Sequence, residues 1–423
     1  MDPPRFPEPQ FSRARACGAE FGYMLVSQAS RRRFFCPHNG HCVPTQFGGS
    51  VSKCYEMTGV DLAPSTQGGE GEEEHAFVTF EGKLYRYCPS RPMGLKTCRI
   101  DVLKLEAHWQ DAELGELSGE DPVKEIAALQ LLKGHGHHHH SNIEELEEAM
   151  ADDTTLYKVT PWYEGGELFD LAPMPEAPAK KVFAQILDAL DFVNSKGLCH
   201  RDVSLENILM DTRTPERGSA SRSSSVSSVG SCISVASSSS GLSGAGADRS
   251  GGAVSSLCSG AFTPVADATR PEMDVSERRD TGAEQWIGRP RLCDFGMSVR
   301  IPRSPVTGKT VPVAPQGRCG KNTCVSPEVF YDEVFDAQAV DTWSVGTTLF
   351  MALLGVQPWE EVGDYKFQAI AEGKNLDVVL DGWKLRHTIS EDAVDLLQAM
   401  LTADPEERLS DIPSILAHPW FNN

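Results

Sequence analysis

The stretch His200-Arg201-Asp202-Val203-Ser204-Leu205-Glu206-Asn207 decides how the rest of the chain is interpreted. It places a carboxylate, Asp202, five residues before a carboxamide, Asn207, and it follows an apolar run, Val182 to Val193, whose spacing predicts a helix. The polar stretch after this predicted helix is therefore a candidate functional loop.

Three further motifs follow this loop in order. They are Cys293-Asp294-Phe295-Gly296, Ser326-Pro327-Glu328 and Asp341-Thr342-Trp343-Ser344-Val345-Gly346. One such motif could arise by chance, but four in this order rarely do. With them the chain resembles a eukaryotic protein kinase, and its last helices resemble those of the calcium/calmodulin-dependent group of serine/threonine kinases.

The resemblance implies an α+β, two-lobed protein kinase fold, with a small antiparallel β-rich N-lobe that has one main helix and a larger, mostly helical C-lobe. The predicted organisation is an N-terminal extension over residues 1–75, a kinase domain over residues 76–421, and a disordered insert over residues 213–287 within the C-lobe. The insert consists mainly of Ser, Gly and Ala with scattered Arg. Such a composition cannot bury enough apolar surface to offset its chain entropy.

The implied reaction is the transfer of the γ-phosphoryl group of ATP to a serine or threonine of a protein, with Mg²⁺ as cofactor. At the matching positions, Asp202 would orient the substrate hydroxyl, while Asn207 and Asp294 would hold Mg²⁺. Structural roles in the large lobe are implied for Arg201, Glu328, Asp341 and Arg408.

The nucleotide-binding residues of the small lobe are less regular. Lys104, at the end of a predicted strand over Thr97 to Leu105, is assigned to the ATP phosphates, with Glu125 on the next helix as its partner. A shifted alignment puts Asp101 in that place. The glycine loop is divergent, since only Gly82 could supply one of its turns. The adenine site is predicted from Thr160 at its back, Tyr163 in the hinge and Leu209 in its floor.

Two positions depart from the family pattern. Ser204 replaces the lysine that serine/threonine kinases carry two residues after the catalytic aspartate, and Lys321 replaces a threonine that contacts this aspartate. The two side-chain types have exchanged segments, so we expect Lys321 to supply the missing positive charge beside Asp202. The alternative is that Lys321 points to solvent.

Other positions predict the substrate preference and the existence of an upstream activating kinase. Glu167 and Glu206 match residues that bind basic side chains upstream of the acceptor in related kinases, which predicts protein substrates with arginine there. Arg201, before the catalytic aspartate, is typical of kinases whose activation segment is ordered by phosphorylation, which implies an upstream activating kinase. Candidate phosphorylation sites are Ser304, Thr307 and Thr310.

Composition narrows the remaining function classes. The formal net charge of −21 argues against nucleic acid or an anionic membrane as a partner. The 12 cysteines lie without paired spacing, and no stretch is apolar for the length of a membrane span, which predicts a cytoplasmic or nuclear protein.

One alternative to an active kinase stays open. The divergent glycine loop and the uncertain lysine favour a pseudokinase that acts as a binding or scaffolding module, whereas the intact Asp202, Asn207 and Asp294 argue against it.

Overall fold

The structure is a computed structural model, and it describes residues 1–19, 22–37, 42–43, 52–62, 77–80, 83–101, 121–134, 140–213 and 288–422. Lys104, Gly82 and the Ser-rich insert after Arg213 lie outside these ranges.

Within the part of the chain that the structure describes, nine strands form the sheet of the small lobe. They are β1 (Ser12–Ala19), β2 (Gly22–Ser27), β3 (Arg33–Pro37), β4 (Cys42–Val43), β5 (Ser52–Leu62), β6 (Phe77–Phe80), β7 (Lys83–Arg99), β8 (Glu148–Ala151) and β9 (Thr155–Pro161). The pairings run β5–β3–β2–β1–β8–β9–β7, and β7 pairs again with β5, so seven strands close into a ring. Of these pairings only β1 with β8 is parallel. Apolar side chains, among them Leu25, Phe34, Leu95 and Val159, form one buried cluster of this sheet.

Strands β1 to β5 lie within the predicted extension over residues 1–75, and β6 to β9 lie within the predicted kinase domain from residue 76. Strands β1 to β3 bridge β8 to β5, so they are part of the same sheet as the predicted small-lobe strands. The position of a strand in a sheet depends on the strand with which it pairs. That partner is distant in sequence here, since Ser12 pairs with Met150 and Phe34 with Gly59.

The small-lobe strands also differ from the prediction in length. Strand β7 runs for 17 residues and ends at Arg99, whereas the sequence predicted a strand over Thr97 to Leu105. The register between β5 and β7 shifts between Thr58, which pairs with Pro92, and Val60, which pairs with Tyr87, so the long strand contains an irregularity there.

The main helix of the small lobe is α1 (Pro122–Lys133). Asp121 caps its first turn, because its carboxylate accepts hydrogen bonds from the backbone N–H groups of Val123 and Lys124. The chain's first residues lie against this helix. Gln130 accepts a hydrogen bond from the backbone of Gln10 at 2.8 Å and donates one back at 2.6 Å. Helix α1, which carries Glu125, is therefore capped by Asp121 at its first turn and hydrogen-bonded to Gln10 through Gln130.

The large lobe is mostly helical, as predicted. Its helices are α2 (Glu176–Ser195), α3 (Pro327–Phe330), α4 (Ala337–Leu354), α5 (Tyr365–Phe367), α6 (Leu376–Gly382), α7 (Glu391–Met400), α8 (Ile412–Leu416) and α9 (Pro419–Asn422). Its short strands are β10 (Leu198–Cys199), β11 (Ile208–Asp211), β12 (Arg289–Leu292) and β13 (Val299–Arg300). Helix α2 buries Val182, Phe183, Ile186 and Leu190, whose spacing puts them on one face.

The α+β, two-lobed kinase fold is confirmed. The large-lobe core includes α2, α4 and the indole rings of Trp343 and Trp359, whose centroids lie 5.5 Å apart. Among the residues with described positions, none of the helices has the length and apolar character that crossing a membrane requires.

Candidate active site

The loop His200–Asn207 is held by a buried carboxylate on helix α4. Asp341 accepts hydrogen bonds from the backbone N–H groups of His200 at 3.0 Å and Arg201 at 2.9 Å. Arg201 has a φ of 66°, a conformation that costs energy for a residue with a side chain and needs support from its surroundings. Asp341 therefore supports the backbone of this loop.

Asp202 and Asn207 contact each other within this loop. The Nδ2 group of Asn207 donates to the backbone carbonyl and to Oδ2 of Asp202, both at 2.8 Å. Burial raises the pKa of the Asp202 carboxyl above its ordinary value, and the Lys321 ammonium opposes this shift. A Cβ atom on Gly320, whose φ is +83°, would lie 2.9 Å from the carbonyl oxygen of Arg201. Only glycine lets the segment that carries Lys321 approach the loop this closely.

Asp294 lies beside the same loop because β11 and β12 form a hairpin. Ile208 pairs with Leu292, and the backbone N–H of Cys293 donates to the Asn207 carbonyl at 2.9 Å. Asp294 has a φ of 62°, and its Oδ1 accepts from the N–H of Gly296 at 3.2 Å. The two predicted Mg²⁺ ligands, distant in sequence, are therefore adjacent through backbone contacts.

Among the described residues, Lys96 on β7 contacts Glu125, whereas the predicted Lys104 lies outside them. Lys96 Nζ lies 2.9 Å from Oε2 of Glu125 and 3.7 Å from Oδ2 of Asp294. Lys96 stands on β7 between β5 and β9, where it pairs with Cys54 and Lys158. The sequence contains little signal for this strand, because Gly94-Leu95-Lys96-Thr97-Cys98 does not alternate between apolar and polar residues. The alternative of Asp101 fails, because Asp101 forms a surface pair with Arg99.

A second lysine on the other side of Glu125 was not predicted. Lys158, on β9, has its Nζ 2.6 Å from Oε1 of Glu125 and 2.8 Å from Oε2 of Glu144. The side chains of all three residues are more than nine-tenths buried. The sequence shows only a lysine in an otherwise apolar strand, a pattern that does not identify a partner.

The predicted hinge joins β9 to the large lobe. Thr160 is buried at the end of β9, and the Tyr163 hydroxyl accepts a hydrogen bond from the backbone of Glu145 at 3.1 Å. A Cβ atom on Gly165 would lie only 2.5 Å from the Met210 carbonyl oxygen, so glycine is required where the hinge crosses β11. Leu209 lies on β11 and pairs with Arg291. Hinge and predicted pocket floor are thus in contact.

Lys321 turns toward the catalytic loop. Its Nζ donates to Oγ of Ser204 at 2.6 Å and to Oε2 of Glu206 at 2.7 Å, and its side chain is about one-third exposed. Lys321 therefore points to the catalytic loop and not to solvent, which was the alternative. Burial, with the charges of Glu206 and Asp170 nearby, raises the pKa of Glu167. The acidic residues predicted for substrate binding share one neighbourhood, but Glu206 already has a cationic partner.

The remaining predicted residues lie in the activation segment and its supports. Glu328 and Arg408 form a buried, bidentate ion pair, with Nη1 of Arg408 2.7 Å from Oε1 and Nη2 3.0 Å from Oε2 of Glu328. The Arg201 guanidinium is buried and donates from Nε to the Met297 carbonyl at 2.9 Å. The candidate phosphorylation sites lie elsewhere, on an exposed turn where Ser304 caps the N–H of Thr307.

Comparison with known proteins identifies the family. The model of the protein kinase domain matches residues 102–217 and 283–421, together more than half of the chain. CBL-interacting protein kinase 21 of Oryza sativa subsp. japonica is 25% identical over 307 residues, which are 71% of this chain and 41% of that protein. CBL-interacting serine/threonine-protein kinase 16 of Arabidopsis thaliana is 25% identical over 308 residues, 71% of this chain and 47% of that protein.

A third relative is calcium-dependent protein kinase 29 of Arabidopsis thaliana, 27% identical over 309 residues, which are 72% of this chain and 41% of that protein. The chain thus spans less than half the length of these three relatives. The family match begins at residue 102, so it does not include Lys96, which only the tertiary contacts reveal. With the matched residues and the geometry of the catalytic loop together, the chain belongs to the protein kinase domain family.

Proposed function

We propose that this chain is an active serine/threonine protein kinase that uses ATP and Mg²⁺. The observation that carries the proposal is the position of Lys96, whose ammonium group lies 2.9 Å from Glu125 and 3.7 Å from Asp294. Phosphoryl transfer needs positioned charge more than covalent chemistry, and a lysine held between two carboxylates is suited to bind phosphate oxygens. The position of this lysine supports the active enzyme over the pseudokinase, while the divergent glycine loop remains the argument for the pseudokinase.

Asn207 and Asp294 are proposed to hold Mg²⁺. Because Nδ2 of Asn207 is committed to Asp202, its amide oxygen is the atom left for a ligand, and Asp294 supplies carboxylate oxygens. An amide oxygen and a carboxylate form a hard donor set that fits this ion. Bound Mg²⁺ would neutralise charge on the phosphate oxygens. Thr160, the backbone at Tyr163, and Leu209 are proposed to surround the adenine.

Asp202 is proposed to orient the substrate hydroxyl and accept its proton. Its carboxylate is fixed by Asn207, and its pKa is raised by burial, which makes it a better proton acceptor than an exposed aspartate. Lys321 is proposed to supply the positive charge that the family's usual lysine would supply from the position of Ser204.

Protein substrates with a basic residue upstream of the acceptor are proposed from Glu167, a half-buried carboxylate next to Glu206 and Asp170. Glu206 is proposed to position Lys321 as well, since it forms an ion pair with this lysine. Activation by an upstream kinase at Ser304, Thr307 or Thr310 and a cytoplasmic or nuclear location stay predictions.

The test is the transfer of radiolabelled phosphate from ATP to an arginine-containing peptide. The wild-type protein should label the peptide, whereas Asp202→Asn and Lys96→Met should reduce labelling by more than about a hundredfold. Equal labelling by all three proteins would refute the proposal. Tight ATP binding without any labelling by the wild-type protein would instead establish the pseudokinase.

A further inference from the structure

Glu125 is shared between two lysines that come from adjacent strands. Lys96 on β7 binds Oε2 at 2.9 Å, and Lys158 on β9 binds Oε1 at 2.6 Å. The two lysines are directly paired across these strands, so their side chains leave the same face of the sheet. The proposed function uses only the first contact. The second has no part in binding phosphate, because Lys158 is buried between Glu125 and Glu144.

The buried charges are stable only as a set. Burial raises the pKa of Glu144, and Lys158 partly offsets this rise. Burial also opposes the charged form of Lys158, but Glu125 and Glu144 together raise its pKa above the ordinary value. Desolvating an ion is expensive unless a well-placed partner compensates, so an uncompensated member of this set would be strongly destabilising. Lys158 therefore stays charged and holds both carboxylates.

Glu144 connects this set to the strand that leads into Asp294. The backbone N–H of Glu144 donates to the Leu292 carbonyl at 2.9 Å, and the N–H of Leu292 donates to the Asn142 carbonyl at 2.8 Å. The Asn142 side chain adds a hydrogen bond to the Pro290 carbonyl at 2.9 Å. The loop that carries Glu144 is thus attached to β12, two residues before Asp294.

We infer that Lys158 and Glu144 are positioning residues that hold Glu125, and with it helix α1, in place when Lys96 and the nucleotide make no contribution. Helix α1 is linked through Glu125 and Lys158 to β9, and through Glu144 to β12. In this arrangement Glu125 is already oriented before ATP arrives, so binding of the nucleotide does not have to order the helix. The catalytic consequence rests on the proposed function, whereas the anchoring of α1 does not.

Hydrogen exchange of the backbone amides of α1 tests the inference in nucleotide-free protein. Lys96→Met and the double variant Lys158→Met/Glu144→Gln each remove one lysine from Glu125, so they are matched controls for one another. In Lys96→Met, exchange in α1 should stay within about twofold of wild type, because Lys158 still holds the helix. In the double variant it should be about tenfold faster or more, which corresponds to the loss of a charge-assisted hydrogen bond.

Two further measurements separate positioning from loss of the fold. Exchange in α2 of the large lobe should be unchanged in both variants, and addition of ADP with Mg²⁺ should restore protection of α1 in the double variant, where Lys96 remains. In the transfer assay, the KM for ATP of the double variant should rise by a larger factor than its turnover falls. A simple loss of folded protein would lower turnover and leave KM unchanged.

Unchanged exchange of α1 in the double variant, or equal acceleration in Lys96→Met, would overturn the inference. If the double variant does not fold, Glu144→Gln alone decides. It removes the charge that pairs with Lys158 but leaves the backbone hydrogen bonds to β12 and the contact of Lys158 with Glu125. Its α1 should therefore exchange faster than in Lys96→Met, and equal or slower exchange would contradict the inference. If the wild-type protein transfers no phosphate, the proposed function fails, but the exchange pattern still decides on the anchoring.

Discussion

Lys321 Nζ lies 2.6 Å from Oγ of Ser204, which places an ammonium from the activation segment beside the loop that carries Asp202. In kinases of the usual pattern, the lysine belongs to the loop and the hydroxyl to the activation segment. Here the two side-chain types have exchanged segments, and they contact each other. The structure thus brings together the pair that the sequence suggested.

Removal of Lys321 should lower turnover far more than it weakens ATP binding. We expect Lys321→Ala to reduce kcat about a hundredfold, because preorganised charge at the transferring group is worth about 3 kcal/mol. The control is the exchange variant Ser204→Lys/Lys321→Thr, which restores the usual arrangement and should recover much of kcat. A fully active Lys321→Ala protein in the peptide assay would exclude a catalytic role for this lysine.

The same lysine should set the acid limit of activity. Burial raises the pKa of Asp202, and Lys321 opposes this rise. Activity needs the carboxylate, so it is lost as the pH falls through this pKa. Without Lys321 the pKa rises further, and the acid limb of the kcat profile of Lys321→Met should move to higher pH. The exposed Lys309 is the control, since Lys309→Met should leave the limb in place. An unshifted limb in Lys321→Met would contradict the assigned contact.

The preference of the enzyme for peptides with an arginine upstream of the acceptor should depend on Glu167 more than on Glu206. Glu206 is already paired with Lys321 at 2.7 Å, whereas Glu167 is half-buried among other acids. We expect Glu167→Gln to reduce the preference about tenfold on a peptide array, because one charge-assisted contact is lost. Glu164→Gln, an exposed neighbour in the hinge, should have no effect. An array without preference for basic residues in the wild-type protein would refute this reading of Glu167.

Deletion of the Ser-rich insert should leave the fold intact. Asp211 on β11 pairs with Arg289 on β12, and Asp211 also binds the Arg291 guanidinium at 2.7 Å, so the two ends of the insert belong to one hairpin. Replacing residues 214–287 with a short Gly-Ser linker should change Tm by no more than about two degrees, because loop entropy grows slowly with length. A matched Asp211→Asn variant should lower Tm more, since it breaks the hairpin's ion pair. A large loss of Tm on deletion would show that the insert stabilises the domain.

Much of the large lobe was predictable because its signals are local. Spacing predicted helix α2, while the resemblance carried by the short motifs implied the roles of the catalytic loop and of Asp294. Asp341 is distant from the loop in sequence, and its structural role was implied by the same resemblance. Periodicity and motif order need no knowledge of distant partners.

The small lobe was decided by tertiary structure. Lys96 reaches Glu125 because β7 pairs with β5 and β9, and these pairings cannot be deduced from the segment around Lys96 alone. The partner strands are far apart in sequence, as the parallel pairing of β1 with β8 illustrates. The ion pairs of Lys158 with Glu125 and Glu144 likewise depend on contacts between different segments of the chain. A buried lysine is stable only where the fold brings carboxylates to it, and no spacing within one segment records that meeting.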